Sequence, residues 1–239
     1  MTLNIDIWSD IACPWCFIGK RRFERALESF EAKDQVSVTW HSYQLDPTLP
    51  ERSELSERDY LSKVKGLQAP QVDSMLGQVT EVARGEGLEY DFDALVPANS
   101  RKAHQLLHAA KRAGLDVGAV KEALLAAHFE QGEVITDDSL LVRIGTENGL
   151  TEEAARSALT DPELAGAVEA DIQQARQIGV NGVPFFVFQD KYGVSGAQPT
   201  EVFSNALEQV WEEIRPSQPS FITIPGTQNA PACGPEGCA

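Results

Sequence analysis

The sequence predicts an α/β protein in which a split βαβ–ββα core is interrupted by a large all-helical insertion and followed by a flexible C-terminal tail. Three observations carry this expectation. Apolar and polar residues alternate near both ends of the first 215 residues, the period of a half-buried strand. Between them, over residues 57–179, the apolar spacing becomes helical and the chain is punctuated by Gly, Pro and Asp-Pro. After Arg215 the composition shifts to Pro, Gly, Ser, Gln and Asn. The expected boundaries are 1–56 with 180–215 for the core, 57–179 for the insertion and 216–239 for the tail.

Taken in order, Leu3, Ile5 and Ile7 alternate with Thr2, Asn4 and Asp6 in a first strand. Phe23, Leu27 and Phe30 then recur at helical spacing. Val36, Val38 and Trp40 alternate with Ser37, Thr39 and His41 in a second strand that leads to Leu45-Asp46-Pro47. In the insertion, Asn99 or Ser100, Thr136-Asp137-Asp138 and Thr151 followed by Glu152 and Glu153 read as helix starts. Strand character returns at Val183-Pro184-Phe185-Phe186-Val187-Phe188, turns at Gln189, and resumes at Val194-Ser195-Gly196-Ala197. A last helix is expected from Pro199 to about Ile214, with Val202, Phe203, Leu207, Val210 and Trp211 on its inner side.

Between the first strand and first helix stands Cys13-Pro14-Trp15-Cys16. Two cysteines at this spacing on the first turn of a helix read as a dithiol switch. Unpaired N–H groups and the positive end of the helix dipole favour an anion at the N-cap, so Cys13 is expected to ionise more readily than a free thiol and to attack. Pro14 takes the first helical position, where its missing N–H costs nothing, and Cys16 lies deeper and resolves. Lys20, Arg21 and Arg22 follow closely; their charge favours a thiolate, although a solvated face is the plainer use of such a run. The competing reading, half of a zinc site, lacks the second ligand pair and the loop that zinc knuckles bring.

The chain has 239 residues and a formal net charge of −16, which argues against nucleic acid or an anionic membrane as partner. No apolar run reaches the ~20 residues of a membrane span, and the N-terminus enters a strand without the features of a secretory signal. A cytoplasmic location is expected, where cysteines serve catalysis or metal binding more often than structure. His104 and His108, four apart on one helical face, lack a Glu or Cys that completes a metal signature and read as a satisfied or solvated pair. His41 and His128 are isolated and receive no role. The tail ends Cys233-Gly234-Pro235-Glu236-Gly237-Cys238-Ala239, a second dithiol that a coil of roughly 25 Å could bring to Cys13. It reads either as a relay exchanging electrons with the first pair or as a disordered end.

The Cys13–Cys16 pair after a strand, the helical insertion and Gly179-Val180-Asn181-Gly182-Val183-Pro184-Phe185-Phe186-Val187 together resemble thioredoxin-fold oxidoreductases of the DsbA type. Ser9-Asp10-Ile11-Ala12 before the pair and Val194-Ser195-Gly196-Ala197-Gln198-Pro199 narrow the resemblance to the FrnE-like branch. It covers residues 1 to about 215. The resemblance implies a thioredoxin-like core with Pro184 in the cis form facing the dithiol, and Val183 presenting backbone beside it to an extended substrate. The buried acid that thioredoxin-type proteins carry six residues before the first cysteine is here Ile7. Asp6 falls on the other strand face, so the proton of Cys16 passes to Asp10, to water or to a group from the insertion. Trp15 in place of the histidine of strongly oxidising members sets an expected potential between about −120 and −270 mV.

The leading expectation is therefore a protein thiol–disulfide oxidoreductase or isomerase with no bound cofactor. It would act on unfolded or disulfide-containing proteins and be reset by glutathione or a thioredoxin-like dithiol protein. A glutathione-dependent small-molecule isomerase or transferase shares the architecture, but those relatives usually carry serine at the position of Cys13. A holdase or zinc-binding module is the non-enzymatic alternative.

Overall fold

The computed structural model describes residues 1–215 and two short paired segments, 233–234 and 237–238. Its core sheet is formed by β1 (Leu3–Ser9), β2 (Val36–Ser42), β3 (Phe185–Phe188) and β4 (Tyr192–Ser195), in the spatial order β2-β1-β3-β4. β1 and β2 run parallel, with Ile5 opposite Val38 and Ile7 opposite Trp40; they are joined through α1 (Pro14–Ser29), the crossover that a parallel pair requires. β3 pairs antiparallel with β1 and with β4, the latter through a turn in which Gln189 and Asp190 take positive φ. α9 (Thr200–Ile214) closes this part of the chain. Strand, helix, strand, helical detour, strand, strand, helix is the order expected from the sequence.

Seven helices lie between β2 and β3: α2 (Glu57–Lys63), α3 (Ala69–Gly85), α4 (Arg101–Arg112), α5 (Val117–Phe129), α6 (Asp138–Glu147), α7 (Glu152–Ala158) and α8 (Pro162–Gln177). Asp137 and Thr151 accept from backbone N–H groups at the starts of α6 and α7, as their sequences lead one to expect. Ser100 is the N-cap of α4 by position, yet its side chain makes no capping bond; Asn99 accepts from Arg101 N–H at 2.9 Å instead.

One face of β1, Leu3, Ile5 and Ile7, is fully buried against Phe23 and Ala26 of α1, Phe186, Phe188, and Phe203, Leu207 and Val210 of α9. Val202, assigned by sequence to the inner side of α9, is 38% exposed: it falls at the edge of the apolar stripe. Trp211 is only partly buried, its ring edge-on to Phe30 at 6.2 Å. A second cluster fills the helical layer and reaches across to Ile11, Phe17 and Ile18, so the dithiol segment sits where the two cores meet. Lys20, Arg21 and Arg22 are not a solvated face. Lys20 is buried and bridges Glu24 and Glu122, both at 2.7 Å; Arg21 pairs with Glu122; and Arg22 pairs with Glu86 at 2.6 Å. These ion pairs tie α1 to α5 and to the end of α3.

No helix among the described residues is long and apolar enough to cross a membrane. Residues 216–232, expected to be flexible, lie outside the described part. Of the tail, β5 (Cys233–Gly234) and β6 (Gly237–Cys238) pair antiparallel, with Cys233 opposite Cys238 in register.

Candidate active site

Cys13 occupies the N-cap of α1 in extended conformation, Pro14 follows in the first turn, and Cys16 N–H donates to the Cys13 carbonyl at 3.0 Å. Both cysteines are unbonded thiols, 3% and 1% exposed, whereas Trp15 between them is 37% exposed. Tyr90, from the segment before α4, donates its hydroxyl proton to the Pro14 carbonyl at 2.7 Å and fixes this first turn. The Val183–Pro184 bond is cis, as the resemblance implies, and the Cys13 thiol donates to the Val183 carbonyl at 3.5 Å. The sequence positions Cys13, Cys16, Pro14, Trp15, Val183 and Pro184 thus come together although 170 residues separate Cys13 from Val183.

Gly19 makes the approach of Pro184 possible. A Cβ at that position would stand 2.8 Å from Pro184 Cγ and 3.5 Å from Ala197, so α1 lies directly against both segments that carry the distant motifs. Arg22 donates to the Ala197 carbonyl at 2.7 Å and holds the second of them.

Asp10 is fully buried beneath the pair, and its backbone carbonyl accepts from Cys13 N–H at 3.4 Å. Its carboxylate accepts from Ala12 N–H at 3.2 Å, Leu45 N–H at 2.8 Å and His104 Nε2 at 3.2 Å. Burial opposes ionisation, but the bond from His104 and its charge, with those from Leu45 and Ser100, outweigh it and hold the Asp10 carboxyl below its ordinary range. Burial pushes His104 down against the bond and charge of Asp10, and its Nδ1 has no partner among the described residues. Ser100 Oγ accepts from Gln44 Nε2 at 3.4 Å and favours the Asp10 carboxylate, while making no capping bond to the helix it precedes.

The expected easy ionisation of Cys13 is not what the paired thiols show. A hydrogen bond with Cys16, then burial, then the charges of Cys16 and Asp10, push the Cys13 thiol well up. A helix N-terminus favours a thiolate, but here it acts on a desolvated thiol beside a second thiol and a fixed carboxylate, and those effects prevail.

Beside Cys13 opens a cavity of about 260 Å³ lined by Trp15, Tyr60, Leu76, Phe92 and His128 among others. Its walls are mainly apolar. Burial pushes Glu57 up to about 7 and His128 down to about 4, and His128 Nδ1 has no partner among the described residues.

Sequence reasoning missed two groups. Lys121 of α5 is fully buried, its Nζ is without a hydrogen-bond partner among the described residues, and it stands 5.3 Å from the centroid of the Trp40 ring. Its signal was available: in α5 it falls on the side of Val117, Leu124, Leu125 and His128, a lysine on an apolar face. The second group is His41, stacked on Trp8 at 4.4 Å, with Nε2 2.7 Å from Asp6 and Nδ1 3.0 Å from Asp171, which also pairs with His108 at 3.1 Å. His41 and His108 thereby join β2 and α4 through one carboxylate of α8; among the described residues no cluster of three or more such side chains is placed to hold a metal ion.

This junction carries a pH dependence. Burial works against a charged His41, but its bonds to Asp171 and Asp6 prevail and raise its pKa; burial likewise opposes ionisation of Asp171, and the bonds from His108, His41 and Ser42 N–H hold it well below the usual range. A raised histidine contributes stability that is fully present below its unfolded value of about 6.5 and is lost as pH rises through its folded value. The depressed aspartate contributes stability present above about 3.9 and lost as pH falls through its folded value. The urea midpoint is expected to fall more between pH 6.5 and 9 in the native protein than in His41→Gln; parallel profiles would remove His41 from the account.

Comparison with known proteins places this geometry in context. The sequence profile of the DSBA-like thioredoxin domain matches residues 4–208. A probable DsbA oxidoreductase from Streptomyces coelicolor is 38% identical, with a TM-score of 0.83 over 99% of this chain and 98% of that one. An uncharacterized protein of Bacillus subtilis, YwbO, is 25% identical over 87% of this chain and 96% of its own length. The cytosolic disulfide reductase DsbM of Pseudomonas aeruginosa, in a structure with GSH, shares the fold at 18% identity, with a TM-score of 0.61 over 87% of this chain and 99% of that one.

Proposed function

The chain belongs to the DSBA-like thioredoxin domain family, and from that premise we propose that it is a protein thiol–disulfide oxidoreductase whose redox centre is the Cys13–Cys16 pair. The observation that carries the proposal is the pairing of two buried thiols at the start of α1, with Cys13 bonded to the Val183 carbonyl. Cys13 Sγ attacks one sulfur of a substrate disulfide; a Cys13–substrate bond forms and the other substrate sulfur leaves as a thiolate. Cys16 then attacks Cys13 Sγ, the Cys13–Cys16 bond forms, and the second substrate sulfur leaves. The substrate is reduced by two electrons and the enzyme pair oxidised; glutathione or a thioredoxin-like dithiol protein returns it. The reverse sequence oxidises a substrate dithiol, and isomerisation results when another substrate thiolate expels Cys13 from the mixed disulfide with no net electron transfer.

Disulfide-containing, partly unfolded polypeptides fit the site. The apolar cavity beside Cys13 accommodates a substrate side chain next to the reacting sulfur, and backbone at Val183 offers extended chain a pairing edge. A cytoplasmic setting accords with a pair that a reductant must reset. The potential belongs between about −120 and −270 mV, since no imidazole lies between the cysteines. Cys233 and Cys238, opposite each other in register, are proposed as a second pair that exchanges electrons with the first.

The test is reduction of a disulfide-bonded polypeptide such as insulin, with glutathione or a dithiol protein as reductant. Turnover above the reductant alone is expected. No acceleration with any reductant would sink the oxidoreductase reading. A Cys233→Ser, Cys238→Ser double variant is expected to turn over more slowly with at least one reductant; unchanged rates with all of them would end the relay.

A further inference from the structure

The cavity beside Cys13 measures about 260 Å³. Pockets that enclose a whole small-molecule ligand run to roughly 300–1,000 Å³, so this one is sized for a single side chain. Trp15, Leu45 and Met75 line it and are exposed, which opens it to solvent next to the dithiol. Leu76, Val79, Phe92 and Phe129 line it and are buried, which gives it an apolar wall.

Most polar groups of the lining are served by the protein itself. Asp46 accepts from Tyr60 Oη at 2.5 Å and from Lys65 Nζ at 2.7 Å, and Asp10 accepts from Ala12, Leu45 and His104. Two groups are not served. Glu57, the first residue of α2, lines the cavity partly buried and makes no hydrogen bond or ion pair among the described residues. His128 lines it 2% exposed, and its Nδ1 has no partner among the described residues. Polar groups withdrawn from water in this way call for a partner from outside the chain.

The lining selects among substrate side chains. A carboxylate would meet Glu57 with no free cation to offset the repulsion, since Lys65 is held by Asp46. An aliphatic or aromatic side chain would suit the wall, yet it would strip further water from Glu57 and leave it unpaired. Lysine or arginine satisfies both: the methylene stem lies along apolar surface while the charged end meets a carboxylate.

We propose that the cavity is a specificity pocket for a basic side chain flanking the substrate cysteine, and that Glu57 is the group that selects it. The inference deepens the thiol–disulfide reading of Cys13 and Cys16 and rests on it. The favoured substrates are disulfide-bonded polypeptides with lysine or arginine beside the reacting cysteine. Glu57 changes no bond; it holds the substrate sulfur's neighbour while Cys13 attacks. The electrostatics agree. Burial pushes Glu57 up to about 7, whereas in Asp46 burial is overcome by bonds from Lys65, Thr48 and Tyr60, which hold it well below the usual range. A bound ammonium or guanidinium gives Glu57 the relief that Lys65 gives Asp46.

The experiment uses full-length, pre-reduced protein and disulfide-linked peptide dimers whose cysteine is flanked on both sides by lysine, by norleucine, which keeps the stem without the ammonium, or by glutamate. Second-order rate constants of reduction are measured at pH 8 in about 0.5 M salt, which screens the long-range attraction of an acidic protein for basic peptides. Each is divided by the rate constant of the same peptide with dithiothreitol, which removes the effect of flanking charge on the leaving thiol. In the native protein the lysine peptide is expected to react about tenfold faster than the norleucine peptide, and the glutamate peptide more slowly than either. In Glu57→Gln the lysine-to-norleucine ratio is expected to fall to near one; taken within each protein, it is indifferent to a general loss of activity. A native ratio near one, or a lysine preference that Glu57→Gln retains, overturns the proposal. Native protein that reduced none of the peptides would sink the thiol–disulfide reading itself, a result distinct from three peptides reduced at similar rates.

Discussion

Replacing Cys13 by serine is expected to bring polypeptide disulfide reduction to the rate of the reductant alone, whereas replacing Cys16 leaves the first step intact and stops the second. The difference follows from position. Cys13 stands at the N-cap, bonded to the Val183 carbonyl and lining the cavity where a substrate side chain can lie; Cys16 is inside the first turn, facing the protein. A serine hydroxyl at position 13 fills the same place, but it neither ionises near neutral pH nor exchanges with disulfides, so structure is retained and chemistry is lost. In Cys16→Ser, the covalent adduct between Cys13 and substrate is expected to accumulate under non-reducing conditions and to be released only by added thiol. Cys16→Ser also removes the first of the influences that push the Cys13 thiol up, so Cys13 should ionise at lower pH, visible as thiolate absorbance near 240 nm. Accumulation of the adduct in Cys13→Ser instead would reverse the assigned roles.

Phe186→Ala should be the most destabilising single change in the sheet, costing about 3–5 kcal/mol of the ~5–15 kcal/mol typical of a domain. Phe186 is fully buried, opposite Ile7 of β1, with ring centroids 5.5 Å from Phe23 and 4.6 Å from Phe203. It is where β3 binds α1 and α9 to the sheet, two residues after Pro184. Truncation leaves a cavity bounded by three elements whose spacing is set by the strand ladder, so collapse is limited. Loss of the dithiol geometry should accompany loss of stability, since β3 carries Val183 and Pro184 to Cys13. Equilibrium urea unfolding measures the cost; a change under 1 kcal/mol would show that the aromatic cluster repacks.

Much of this arrangement could be read from the chain because its signals are local. Strand alternation assigned Ile7 to the buried face and Asp6 to the other, where Asp6 meets His41. The Cys13 N-cap, Pro14, and the caps at Asp137 and Thr151 each depend on one turn of backbone and were legible for that reason. The encounter of Cys13 with Val183 came from the family resemblance, as no spacing rule joins residues so far apart. What local patterns could not supply was the way helices pair. Lys20, Arg21 and Arg22 look solvated until Glu122 and Glu86 are brought to them from α5 and the end of α3. His41 looks isolated until α8 delivers Asp171, and Ser100 looks like a cap until Asp10 is placed beside it. The reluctance of Cys13 to ionise has the same origin: the sequence displays the helix terminus, but burial and neighbouring charges belong to the assembled fold.

The most direct measurement is the redox equilibrium of Cys13 and Cys16 in glutathione buffers of graded ratio, read by mass spectrometry after thiols are alkylated. A single reversible two-electron transition, with a potential between about −120 and −270 mV and both cysteines changing together, is the result expected of a catalytic dithiol. Two thiols that stay reduced across the whole series, or that form only separate glutathione adducts, would contradict the assignment of this pair as the redox centre.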